Sequence, residues 1–156
     1  MKMKHKNLLI FWMGLCLIVP LVSSCILLIL FSPRDLSNKD PFDYDTQVKV
    51  LKEVAKIMKV TLNPNILPPS VLRAEKVSNE YNNSVWGFDV GDKRSNIFDP
   101  KTGNILLIKE AKVHNLAHEL AHYIQFTYQG WTDEQVRGNY CDNLELEAIR
   151  VQNYFR

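Results

Sequence analysis

Cysteine is scarce and poorly placed for cross-linking. Of the three cysteines, Cys16 and Cys25 fall in an apolar N-terminal stretch, which leaves Cys141 alone in the remainder and excludes a disulfide within that part. A strong charge of one sign is also missing. Nineteen Lys and Arg against 17 Asp and Glu give a formal net charge of +2, too little to argue for nucleic acid as a partner. No internal repeat and no low-complexity tract is visible beyond the apolar stretch, and 156 residues allow one domain.

No charged residue occurs from Leu8 to Phe31, a run long enough to cross a hydrocarbon core of about 30 Å. Lys2, Lys4 and Lys6 precede it, and a mixed set of Arg34, Asp35, Lys39 and Asp40 follows. The positive-inside rule then predicts a membrane anchor over residues 1–31, with a cytoplasmic N-terminus and the rest extracytoplasmic. Two other readings stay open. A cleaved signal peptide would have a shorter apolar region, of about 7–15 residues. Val22-Ser23-Ser24-Cys25 resembles a lipobox, which would put a lipid on Cys25, although the following residues 26–31 are all apolar.

Past the anchor, residues 32–41 read as a polar linker and 42–156 as the folded domain. Val48, Leu51, Val54, Ala55 and Met58 recur at helical spacing and predict a helix over 44–60. It ends before Asn63-Pro64. Strands are expected over 71–77, 85–90, 95–98 and 104–109, with Asp99-Pro100-Lys101-Thr102-Gly103 as a turn. Helix-forming sequence runs from about 111 to 128, stopped by Gln129-Gly130. A last helix is expected from about 143 to the C-terminus. The fold class is α+β, with a small, mostly antiparallel sheet followed by two helices. Asn82-Asn83-Ser84 fits the N-glycosylation pattern, but the pattern is short and common enough to be chance.

The chemistry concentrates in His118-Glu119-Leu120-Ala121-His122. Residues four apart share a helix face, so His118 and His122 can offer two imidazole nitrogens to one zinc ion. Glu119 beside them is placed as the general base of a metalloprotease. At about 100° per residue, Val113, Leu116, Ala117, Leu120 and Ile124 form an apolar arc, while His114, His118, His122 and Gln125 lie opposite. The plain alternative is a surface helix with histidines on its wet side.

A catalytic zinc usually takes a third protein ligand. Glu147, Glu145, Asp142, His114 and Cys141 are the candidates. Leu144, Ala148, Val151, Tyr154 and Phe155 form the apolar arc of the last helix, and Glu147 falls within it. A carboxylate in a packing face calls for a cation; zinc would serve, and so would Arg150 or Lys112. Glu145 falls with Gln152 and Arg156, and Asp142 with Glu145 can form a capping box. Glu147 is therefore the expected ligand. His114 suits a supporting or substrate-facing role better.

The chain thus resembles the gluzincin group of zinc metallopeptidases, through His118 to His122 and through Glu147-Ala148 in a following helix. The stretches from His118 to Gln125 and from Leu144 to Ala148 are similar to small ImmA/IrrE-type domains, and the likeness covers roughly residues 66–156. Larger gluzincins carry an Asp four residues after the Glu ligand that orients a His; here Val151 stands there. The metzincin pattern needs a third His soon after His122, and none is present. The resemblance implies a zincin-like domain in which zinc on His118, His122 and Glu147 activates water, Glu119 moves the proton, and a peptide or protein is cut. Tyr123, Tyr140, Arg137, Tyr154 and His114 are candidate donors to the oxyanion. The resemblance also implies that the strand over 104–109, or one around Trp86, edges the cleft and pairs with extended substrate. The competing reading is a degenerate, membrane-tethered zinc-binding module without turnover, for which a base at Glu119 would have no use.

Overall fold

Asp43 starts the first helix, α1 (Tyr44–Ile57). Its carboxylate accepts hydrogen bonds from the backbone N–H and the hydroxyl of Thr46, both at 2.8 Å, which satisfies an otherwise orphaned helix-end donor. Val50, Leu51, Val54 and Ala55 form the buried stripe of α1. These relations come from a computed structural model that describes residues 33–86, 96–132, 134–135 and 141–156. Pro33–Arg156 form one compact unit.

Three strands follow: β1 (Val71–Ala74), β2 (Ile97–Asp99) and β3 (Asn104–Ile108). Their order is β1-β3-β2. β3 pairs parallel with β1, Val71 opposite Ile105 through Ala74 opposite Ile108. It pairs antiparallel with β2, Ile97 opposite Leu106 through Asp99 opposite Asn104. The sheet is therefore mixed, which corrects the expectation of a mostly antiparallel one. Residues 79–86 form a helix, α2 (Asn79–Trp86), with Ser78 Oγ accepting from the Tyr81 N–H at 3.1 Å. The expected strand over 85–90 thus begins inside a helix, and residues 87–95 lie outside the described ones. With both edges paired, β3 cannot take substrate as an added strand, and Trp86 is helical.

The β2–β3 turn is built around Asp99. Its Oδ1 accepts from the Lys101 N–H at 2.9 Å, and its Oδ2 accepts from the Thr102 and Tyr81 hydroxyls at 2.9 Å each. Gly103 closes the turn at φ 72°, where a side chain would be strained. Burial opposes ionisation of Asp99, but these hydrogen bonds outweigh it and hold its carboxyl below the usual carboxylate range. Ionised Asp99 therefore stabilises the fold above about pH 4, and that contribution is lost as pH falls through its lowered value. Asp99→Ala is expected to cost about 2–3 kcal/mol in urea unfolding at neutral pH. The cost should shrink in acid; one that stays constant below pH 4 would show that the charge is irrelevant.

The central element is α3 (Val113–Thr127), and Gly130 at φ 75° lies just beyond it. Val113, Leu116, Ala117, Leu120 and Ile124 are buried against α1 and the inward residues Phe98, Ile105 and Leu107 of the sheet. The last helix, α4 (Cys141–Asn153), lies against α3 and buries Ala148 and Val151 in the same core, joined by Phe155 beyond its end. Leu144 joins Val77, Val85 and Ile97 in a second, smaller cluster. Because the core closes on α3 from two sides, Gln125 is fully buried rather than on a wet face.

The single-pass membrane assignment, with an extracytoplasmic domain, does not stand. No helix among the described residues is long and apolar enough to cross a membrane. Residues 1–31, which carry the expected anchor and the Cys25 lipid site, lie outside the described residues.

Candidate metal centre

One helical turn separates His118 from His122, and their rings meet nearly edge to face, with centroids 4.8 Å apart and planes at 81°. The two Nε2 atoms are 3.2 Å apart. α4 brings the third group. The Glu145 carboxylate straddles the pair, with Oε2 at 3.4 Å from His118 Nε2 and Oε1 at 3.5 Å from His122 Nε2. One ligand atom from each of His118, His122 and Glu145 lies within 4.8 Å of the others, so this group could hold a metal ion.

Glu147 stands elsewhere. Its Oε2 accepts a hydrogen bond from Gln125 Nε2 at 2.9 Å. The third position beside the imidazoles thus belongs to Glu145, which corrects the expectation for Glu147. The capping role proposed for Asp142 and Glu145 also lapses, because α4 begins at Cys141 and both residues lie within it.

The electrostatics favour a cation. Burial of the His122 ring disfavours its charged form, yet the Glu145 carboxylate and the charge of Glu119 outweigh burial and raise its proton affinity. The same anions would stabilise a metal ion. Glu119 is itself buried, at 6% exposure. His114 is half-buried and outside the group. Burial, then the charges of Arg156 and Lys112, lower its proton affinity.

The two rings are held differently. His122 Nδ1 lies 2.8 Å from Gln125 Oε1. His118 Nδ1 is buried with no hydrogen-bond partner among the described residues. Gln125 is the residue whose role the sequence reading missed, although it falls on the same helix side as the histidines. A glutamine three residues after a ligand, on that side, was the available signal.

Of the expected oxyanion donors, Tyr123 is committed to structure. Its hydroxyl donates to the Leu67 carbonyl at 3.0 Å, and burial, with Tyr128 nearby, pushes its pKa up to about 12. Tyr154 is exposed. Arg137 and Tyr140 lie outside the described residues.

No protein-family model matches this chain, and no curated protein or solved structure matches it. The likeness to gluzincins therefore rests on the residues themselves.

Proposed function

We propose that this chain is a zinc-dependent metallopeptidase that holds zinc on His118, His122 and Glu145 and uses Glu119 as general base. The observation that carries the reading is the convergence of two Nε2 atoms from one H-E-x-x-H turn with a carboxylate from α4. Ligand atoms set tetrahedrally about zinc at roughly 2.0–2.1 Å stand about 3.3–3.4 Å apart. The two Nε2 atoms, 3.2 Å apart, fall close to that spacing, and Glu145 reaches them through different oxygens, Oε2 at 3.4 Å from His118 and Oε1 at 3.5 Å from His122. Two imidazoles and one carboxylate are also a donor set of catalytic zinc, with a fourth position kept for water.

When bound, zinc lowers the pKa of water and polarises a carbonyl. Glu119 takes one proton from the water as its oxygen attacks the peptide carbonyl carbon. It returns that proton to the amide nitrogen as the C–N bond breaks, leaving a carboxylate and an amine.

The test is cleavage of an unfolded protein such as denatured casein by the full chain. Zinc-loaded protein should cut it. Removing the metal with a chelator should reduce cutting to background, and added zinc should restore it. Zinc retained without any cleavage would instead favour a binding module.

A further inference from the structure

We propose that Gln125 is a positioning residue that fixes which nitrogen of His122 carries the proton, and ties that choice to α4 through Leu144 and Glu147. The proposal rests on the reading of His118, His122 and Glu145 as metal ligands. It does not require peptidase activity.

The argument is a count of donors and acceptors. Gln125 is fully buried. Its Nε2 lies 3.1 Å from the Leu144 carbonyl oxygen and 2.9 Å from Glu147 Oε2. A backbone carbonyl can only accept, and so can an ionised carboxylate. Both therefore need the amide NH2, and they use its two hydrogens. The amide oxygen is left facing His122 Nδ1 at 2.8 Å. An amide oxygen can only accept, so Nδ1 must be the protonated nitrogen. In the neutral ring that leaves the lone pair on Nε2, the atom facing His118 and Glu145. A flipped amide would set NH2 against the ring and an oxygen against two acceptors.

Three consequences follow from the same contacts. His122 is presented to a cation with its lone pair already on the correct nitrogen, so binding requires no shift of tautomer. The Leu144 carbonyl adjoins Glu145 in sequence, so the amide that orients one ligand also holds the backbone beside another. Glu147 has a buried-side function without touching the metal group: it accepts the second amide hydrogen. His118 provides an internal control, since its Nδ1 has no such partner among the described residues.

The test uses the metal-free full chain, with the tautomer of each histidine ring read from imidazole 15N shifts at alkaline pH. His122 should be protonated at Nδ1 in the wild type. Gln125→Met, close in length but without the amide, should let the His122 tautomers mix while His118 is unchanged. Zinc affinity, measured by competition with a chromophoric chelator, should fall about 10–100-fold in the same variant. Gln125→Glu combined with Glu147→Gln keeps an acceptor at His122 and a donor between the two side chains, while giving up the hydrogen bond to the Leu144 carbonyl. It should restore the Nδ1–H ring and at least part of the affinity. A His122 ring that stays fixed in Gln125→Met, or zinc affinity that does not change, overturns the proposal. A wild-type chain with the Nδ1–H ring that binds no zinc overturns the ligand reading, and with it any role for Gln125 in metal binding.

Discussion

Replacing Glu145 by alanine is expected to lower zinc affinity by more than 100-fold, while Glu147→Ala lowers it by less than about 10-fold. The first substitution removes one of three groups whose atoms lie within 4.8 Å of one another. Losing a group that only orients a ligand typically costs about 10–100-fold, so a lost ligand should cost more. Glu147 accepts a hydrogen bond from Gln125 at 2.9 Å, and without it Gln125 keeps its second anchor at the Leu144 carbonyl. Glu145 is partly open to solvent, with its side chain 24% exposed, so removing it should leave the fold intact. Titration of the chelator-stripped full chain with zinc measures both effects. The reverse order, with Glu147→Ala the more damaging, would return the third ligand to Glu147.

The largest effect on rate is expected from Glu119→Gln. Glutamine has nearly the same shape but cannot accept a proton from water, so turnover should fall by about 10²–10⁴-fold. Zinc content should not change, because Glu119 is outside the group of His118, His122 and Glu145. Paired measurement of bound zinc and peptide cleavage separates the two roles. Loss of zinc together with activity would mean that Glu119 serves the site as a structural or coordinating anion. Retained activity would remove it from the reaction.

The confusion between Glu145 and Glu147 has a geometric cause. At about 100° per residue, the two lie roughly 80° to either side of the Leu144–Ala148–Val151–Phe155 stripe. Counting Tyr154 in the apolar arc draws Glu147 into it; Tyr154 is exposed, and without it both glutamates border the packing face. A helical projection cannot show on which side of that face the imidazoles of α3 stand, because that depends on how the two helices are set together. The side-chain pattern of α3 itself was legible, since one apolar arc and one H-E-x-x-H turn occur on a single uninterrupted helix. Its burial was not: nothing local to α3 tells that α4 covers the polar side carrying Gln125.

The sheet shows the same limit. Alternation at Ile105 and Leu107 and the Asp99–Gly103 turn mark β2 and β3 as a hairpin. Nothing local tells that β1 lies parallel along the other side of β3, because parallel pairing is set by the path of the intervening chain. Aromatic and β-branched residues near Trp86 suggested a strand, whereas the hydrogen bond from the Tyr81 N–H to Ser78 Oγ marks a helix start. The apolar N-terminal run was the most conspicuous feature of the sequence, and it lies outside the described residues, among which the metal group comes from α3 and α4.

The most direct test of the account is the position of zinc in crystals of the full chain, located by anomalous scattering at the zinc edge. The account predicts one ion bound by His118 Nε2, His122 Nε2 and a Glu145 carboxylate oxygen, each at about 2.0–2.2 Å. Zinc held by Glu147, or found only at sites that exclude the two imidazoles, would contradict it.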